Sequence, residues 1–207
     1  KIQWLKLYDP KNPLKTRLSD KYEVREWVSE QIGEEYLVPV IGVWNRFEDI
    51  DFSEFPDRFV LKATHGSGMN VIVDDIGRFD KNAAAKKFRK WLKINIAYHG
   101  LELCYKNIEP RILAETYLEN ADGDLYDYKI WCFNGKPRYI MFLAERRKGL
   151  KMAFYDVDWH RMPFAYYPQY EKEAERPACL PQILLLAEKL ATGFAHVRVD
   201  FYVTNDR

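Results

Sequence analysis

Apolar residues recur along this chain at two spacings, and the switch between them predicts where helices give way to strands. In SDKYEVREWVSEQIG, residues Val24, Trp27, Val28 and Gln31/Ile32 follow a 3.6-residue period. Asp20 with Glu23 three residues on has the form of a capping box, and Gly33 ends the run. After Asp80 a second helical pattern places Ala84, Phe88, Trp91 and Leu92 on one face and lysines on the other, with Gly100 as its stop. Pro181 suits the first turn of a third helix reaching Leu190, which Gly193 terminates. Each is amphipathic and needs a sheet or another helix to cover its apolar face.

Period-two and β-rich runs predict strands at 36–43, 59–63, 70–73, 111–118, 126–133, 138–144, 151–157 and 196–203. Asn134-Gly135 between two of them is a type I′ hairpin signal. Strands arrive largely as neighbours, with helices inserted between groups. That order predicts an α+β fold of two lobes with largely antiparallel sheets, not a doubly wound parallel sheet. No repeat, low-complexity tract or Gly/Ser linker interrupts the chain.

With 207 residues and 47% hydrophobic content the chain can bury a substantial core, as one domain or two small lobes. The formal net charge is +1, from 32 basic and 31 acidic residues, so the balance points to no polyanion and no nucleic-acid partner is expected. The 3 cysteines (Cys104, Cys132, Cys179) are far apart and lack a C-x-x-C spacing, which fits a reducing compartment. No apolar run approaches the roughly 18 residues that span a bilayer, so membrane contact is expected to be peripheral at most. The chain opens at Lys1 without methionine or a secretory h-region, and Thr204, Asn205, Asp206 and Arg207 are turn residues after the last predicted strand. Both ends read as truncations, of a longer cytoplasmic protein.

The chemistry-bearing stretches each admit two readings. FVLKATHGSGMNVIV puts Lys62 at the end of one strand and His65-Gly66-Ser67-Gly68 before the next. Glycines let backbone N–H groups turn toward an anion and the lysine supplies charge, yet an ordinary hairpin turn has the same composition. The loop matches neither the P-loop nor the dinucleotide fingerprint. In HVRVDFYV, alternation sets Arg198, Asp200 and Tyr202 opposite Val197, Val199, Phe201 and Val203. Arg198 and Asp200 are either a surface ion pair or a phosphate contact and a Mg²⁺ ligand. DLYDYKIWCFNG sets Asp127, Lys129 and Trp131 opposite Tyr128, Ile130 and Cys132. Glu115, closing a buried strand in RILAETYL, requires a donor partner. His65, His99, His160 and His196 show no metal spacing, and no G-x-S-x-G elbow is present, which excludes zinc and serine hydrolase readings. Tyr166, Tyr167 and Tyr170 near Trp159 are either core or a stacking platform.

Taken in order, KIQWLKLYDP, SDKYEVREWV, FVLKATHGSG, PRILAETYLE, DYKIWCFNGKP, FYDVDW and HVRVDFY resemble the ATP-grasp superfamily. The wording of the segments is similar to its TupA-like branch, bacterial proteins linked to teichuronopeptide, capsule and other surface-polysaccharide synthesis. The resemblance implies an ATP-grasp fold, with a partial N-terminal region at 1–58, a small lobe with flap and hinge at 59–118, and a large lobe at 119–207. It implies that Lys62, assisted by Lys21 from its helix, meets the α- and β-phosphates of ATP. His65, Gly66, Ser67 and Gly68 would form the flap over the β- and γ-phosphates. Glu115, Thr116, Tyr117 and Leu118 would be the hinge against adenine, with Asp127 near the ribose and Lys129 beside it. Arg198 would meet the transferring phosphoryl group, as catalytic residue with Lys62, and Asp200 would ligate Mg²⁺. The family takes further metal ligands from a strand after the Arg-x-Asp strand, and this chain ends at Arg207 before one.

The activity implied is an ADP-forming carboxylate–amine ligase passing through an acyl phosphate, acting on an acidic sugar or amino acid beside the polysaccharide-synthesis machinery. Two alternatives stay open. A glycosyltransferase would use an Asp-x-Asp metal motif, which Asp156-Val157-Asp158 matches in letters. A non-catalytic nucleotide- or carbohydrate-binding module would need no complete metal site. Arg146, Arg147, Lys148 and Lys151 are either a basic cluster for an acidic substrate or a solvated loop.

Overall fold

A computed structural model describes residues 2–8, 13–99, 101–146, 148–164 and 168–204. The chain divides into two compact units, residues 1–117 and 118–207. The first holds helices α1 (Ile2–Tyr8), α2 (Pro13–Ser19), α3 (Glu23–Ile32) and α4 (Lys81–Trp91). Its strands are β1 (Val40–Trp44), β2 (Phe59–Ala63), β3 (Asn70–Val73) and β4 (Ile112–Thr116), in the spatial order β1-β4-β2-β3 with every pair antiparallel.

Alternation along β2 decides what this sheet offers on each side. Phe59, Leu61 and Ala63 are fully buried, while Val60 and Lys62 point away from that core. The buried side is an aromatic cluster: Phe59 lies edge-on to Phe55 at 4.9 Å and to Phe79 at 5.6 Å, and Phe88 of α4 stacks on Phe47 at 5.8 Å. Truncating a fully buried phenylalanine such as Phe59 to alanine costs about 3–5 kcal/mol, so this packing fixes the plane of β2 and the outward direction of Lys62.

The second unit contains β5 (Tyr126–Phe133), β6 (Lys136–Ala144), β7 (Lys151–Asp156), α5 (Leu180–Ala191) and β8 (His196–Val203). The sheet runs β7-β6-β5-β8, again antiparallel throughout. Leu180, Ile183, Ala187 and Ala191 of α5 join Tyr128, Ile130, Cys132, Ile140 and Phe142 in one core. The expected faces of β5 and β8 are therefore those observed, with Tyr128, Ile130 and Cys132 inward. Asn134 and Gly135 both take positive φ, 50° and 74°, as the I′ turn demands. Pro181 sits in the first turn of α5.

Several expected boundaries move, each for a visible reason. Residues Glu34–Tyr36 form a 3-10 turn instead of the start of a strand, and Pro39 has no N–H for the ladder, so β1 begins at Val40. The fourth strand spans 112–116, not 111–118, because pairing with both neighbours stops at Glu115 and Thr116. The helix after Asp80 ends at Trp91, well before Gly100. Asn95 accepts from the Ala97 N–H and starts a separate 3-10 turn, Ile96–Tyr98. Lys21 lies in the turn before α3 and not in a helix, because the Asp20 carboxylate accepts from the Tyr22 and Glu23 N–H groups and starts the helix there. Only that half of the expected capping box forms, since the Glu23 carboxylate turns to Arg111 at 2.6 Å. Gly100, Arg147, Tyr166, Tyr167, Asn205, Asp206 and Arg207 lie outside the described residues.

Candidate functional site

In the first unit, Lys62 and Glu115 share the sheet face opposite the phenylalanine core. β2 and β4 pair Val60 with Glu115 and Lys62 with Leu113, which sets the two charged side chains diagonally across the ladder. The Lys62 ammonium is 2.5 Å from Glu115 Oε2. Arg25 of α3 reaches Glu115 Oε1 at 3.2 Å and donates to the Val38 carbonyl. Glu115 is 6% exposed, and burying a carboxylate is costly unless it is paired this way.

The loop at 65–68 joins β2 to β3 as a hairpin, closed by the Ala63 N–H on the Met69 carbonyl at 2.9 Å. His65 and Gly66 are buried, Ser67 and Gly68 are exposed, and Gly68 has φ 72° in the region that glycine favours. Lys21 holds the loop from beneath, donating to the Ala63 carbonyl at 3.1 Å and to the Gly66 carbonyl. Burial, and next the nearby Lys62 charge, lower the Lys21 pKa to about 8. His65 Nε2 is 3.1 Å from the Trp91 carbonyl oxygen, and burial pushes the imidazole below its ordinary pKa.

Beyond Glu115, the Thr116 N–H donates to the Pro39 carbonyl at 3.0 Å, and the Tyr117 ring carries the Arg58 guanidinium at 3.9 Å from its centroid. Leu118 is half-buried and opens the second unit.

In the second unit the register of β5 against β8 aligns Asp127 with Tyr202, Lys129 with Asp200 and Trp131 with Arg198. The charged groups form a continuous row on the face away from α5. Arg146 donates to Asp127, Lys129 lies 3.0 Å from Asp127 Oδ2 and 2.6 Å from Asp200 Oδ2, and Arg198 grips both Asp200 oxygens at 2.7 and 2.8 Å. Asp127 is 3% exposed, whereas Asp200 retains 36% side-chain exposure. Three cations meet two carboxylates, an arrangement suited to receiving further negative charge.

The structure thus groups Lys21, Lys62, Glu115 and residues 65–68 in one unit, and Asp127, Lys129, Arg198 and Asp200 in the other. Two members escaped the sequence reading. Arg25 belongs to a helix 90 residues from its partner Glu115 in sequence, with no local signal linking them. Arg146 reads in the sequence as one of a group of loop cations, and its pairing with Asp127 places it in the charged row instead. Among the remaining cations, Lys151 meets Glu145 Oε2 at 3.2 Å.

Other candidates have structural duties. Asp156 closes the turn after β7, its Oδ1 accepting from the Asp158 and His160 N–H groups at 3.0 and 2.8 Å. Trp159 stacks on Tyr155 at 4.2 Å, and Tyr170 lies edge-on to Phe142, so these two rings belong to the core. The 3 cysteines are free, and burial raises the Cys132 thiol to about 11, away from nucleophilic chemistry. No helix among the described residues is long and apolar enough to cross a membrane.

No curated protein matches the chain. Among solved structures, D-alanine–D-alanine ligase from Bacillus anthracis complexed with ATP is similar at 18% identity, over 92% of this chain and 52% of that one, with a TM-score of 0.46. ATP citrate lyase from Methanosaeta concilii, in complex with (3S)-citryl-CoA, is similar at 14% identity, over 90% of this chain and 44% of that one, with a TM-score of 0.36. The chain spans about half the length of these solved structures. The family model described as TupA-like ATPgrasp matches residues 1–207, and the chain, with its two antiparallel sheets and interspersed helices, belongs to the TupA-like ATP-grasp family.

Proposed function

We propose that this chain carries the nucleotide-binding residues of an ATP-dependent carboxylate–amine ligase acting on an acidic sugar or amino acid in bacterial surface-polysaccharide synthesis. The observation that carries this reading is the pair of neighbouring lysines beside the glycine loop: Lys21 donates to the Gly66 carbonyl, and the charge of Lys62, itself held by Glu115, disfavours its ammonium, a local positive charge that phosphate oxygens would complement. In this reading Lys62 and Lys21 take the α- and β-phosphates, and the backbone N–H groups of His65, Gly66, Ser67 and Gly68 fold over the β- and γ-phosphates. In the hinge segment 115–118, Thr116, Tyr117 and Leu118 lie against adenine. The Glu115 carboxylate, already shared by Lys62 and Arg25, positions Lys62 instead of contacting the base.

In the second unit Asp127 serves the ribose end, and Lys129 and Arg198 spread the charge of the transferring phosphoryl group. The donor chemistry of Asp200, a partly exposed carboxylate, fits Mg²⁺, which prefers one or two carboxylates together with phosphate oxygens. Bound there, Mg²⁺ supplies charge neutralisation at the phosphates. The substrate carboxylate oxygen attacks the γ-phosphorus as the bond to the ADP oxygen breaks, giving an acyl phosphate. An amine nitrogen then attacks the acyl carbon and phosphate departs, the amine proton passing to solvent. No protein nucleophile is required, and the flap's task is to keep water from the acyl phosphate.

Hydroxylamine trapping tests the reading. With Mg²⁺-ATP, glucuronic acid or glutamic acid, and hydroxylamine, the protein is expected to release ADP together with a hydroxamate of the carboxylate. ADP release that ignores the carboxylate, or no release, contradicts it.

A further inference from the structure

The charged row of the second unit continues into a group of aromatic rings that neither the core nor the nucleotide residues use. Trp131 stands opposite Arg198 on β8 and opposite Tyr139 on β6. Phe154 of β7 is edge-on to Trp131 at 6.4 Å, and Phe164 packs on Phe154 at 5.2 Å and on Tyr139 at 5.5 Å. All lie on the sheet face away from α5. Tyr139 and Phe164 are 36% and 44% exposed, so the rings present an open apolar surface beside a charged one. The Trp131 indole N–H is buried and has no acceptor among the described residues, and the ring also lies 5.7 Å from the His196 imidazole.

We propose that Trp131, Tyr139, Phe154 and Phe164 form a platform for the ring of a pyranose that bears a carboxylate, with Arg198 receiving that carboxylate. The inference deepens the ligase reading and rests on it. Aromatic faces pack well against the C–H face of a sugar ring, whereas an open-chain amino acid has no such face. Charge complementarity sets the orientation: Arg198, whose side chain is 46% exposed, borders the platform at its β8 side. Position along the sheet separates this platform from the base of the nucleotide. Asp127, assigned to the ribose end, is four residues from Trp131 on β5, roughly 13 Å at the rise of a strand, with Lys129 and Asp200 between them. Ribose, phosphoryl group and substrate ring would then follow one another along a single face, which brings the sugar carboxylate to the phosphoryl group it attacks.

Titration calorimetry with methyl β-glucuronide, in the absence of nucleotide, tests the platform. Methyl β-glucoside and glutarate serve as comparisons, lacking the carboxylate and the ring respectively. The glucuronide is expected to bind more tightly than either. Trp131→Ala should weaken it at least tenfold, Phe164→Ala severalfold, and Trp131→Phe should recover most of the loss. The affinity of a non-hydrolysable ATP analogue should stay within twofold in all three variants. Phe164 is exposed, so Phe164→Ala keeps the test decisive if Trp131→Ala fails to fold. Absent glucuronide binding, binding unchanged in the folded variants, or displacement of the glucuronide by the ATP analogue each overturns the proposal. Loss of nucleotide binding in the wild-type protein overturns the ligase reading separately.

Discussion

Lys62 and Glu115, on adjacent antiparallel strands, are joined by a 2.5 Å contact between Nζ and Oε2, while Arg25 holds the other carboxylate oxygen at 3.2 Å. Their side chains are 18%, 8% and 16% exposed, so the trio is largely withdrawn from water. Removing the carboxylate alone leaves two cations facing each other with Lys21 nearby. Glu115→Ala is therefore expected to destabilise the first unit by about 3 kcal/mol. Urea unfolding checks this: the midpoint should fall, and Glu115→Ala with Arg25→Met together should cost less than the separate losses added.

The proposed contact of Lys21 with phosphate predicts that nucleotide binding depends on pH. Its pKa of about 8 lies below that of an ordinary lysine, so the ammonium is present below pH 8 and lost above it. The unfolded chain binds this proton up to pH ~10.4, so between the two values this group's contribution to stability rises with pH. Affinity for the ATP analogue is expected to go the other way, falling as pH rises from 7 to 9. Lys21→Met should lower affinity at pH 7 and remove that fall, as titrations at several pH values would show. A fall that persists in Lys21→Met contradicts the assignment.

Asp200→Asn tests the proposed Mg²⁺ ligand of the charged row. The substitution keeps the shape and removes the charge that Lys129 and Arg198 now share. The expected result is a weakened Mg²⁺ enhancement of nucleotide binding, with metal-free nucleotide affinity unchanged or tighter, since two cations are released. Titrations with Mg²⁺ and with EDTA distinguish this from simple loss of binding.

Gly68 has φ 72° and open space where a Cβ would project. Gly68→Ala therefore meets backbone strain and no clash, an expected loss of about 1 kcal/mol. Thermal unfolding should register that loss, and nucleotide affinity should fall further if the 65–68 hairpin must close over phosphates.

The sequence exposed the parts of this architecture that depend on local pattern. Phe59, Leu61 and Ala63 alternate with Val60 and Lys62 in the letters as in the sheet, and Asn134-Gly135 fixed a hairpin through its two positive φ values. Glu115 advertised its need for donors, because a carboxylate after three apolar residues has nowhere wet to go. What the letters could not supply was the identity of those donors. Arg25 and Arg146 reach their carboxylates through tertiary placement, and nothing in a 3.6 or a 2.0 period encodes it. Helix ends were missed where side-chain caps competed with glycine: Asn95 interrupted the run toward Gly100, and Asp20 moved the start of α3 past Lys21. The row of charges on β5 and β8 was legible as two half-rows, and only the pairing of Lys129 with Asp200 joined them.

Whether Lys62 binds phosphate in a Mg²⁺-dependent nucleotide site is decided by isothermal titration with a non-hydrolysable ATP analogue. The wild-type protein is expected to bind the analogue, more tightly with Mg²⁺, and Lys62→Ala to lose at least tenfold in affinity while remaining folded by circular dichroism. Unchanged affinity in folded Lys62→Ala, or tighter binding of a UDP-sugar than of the ATP analogue, would contradict it.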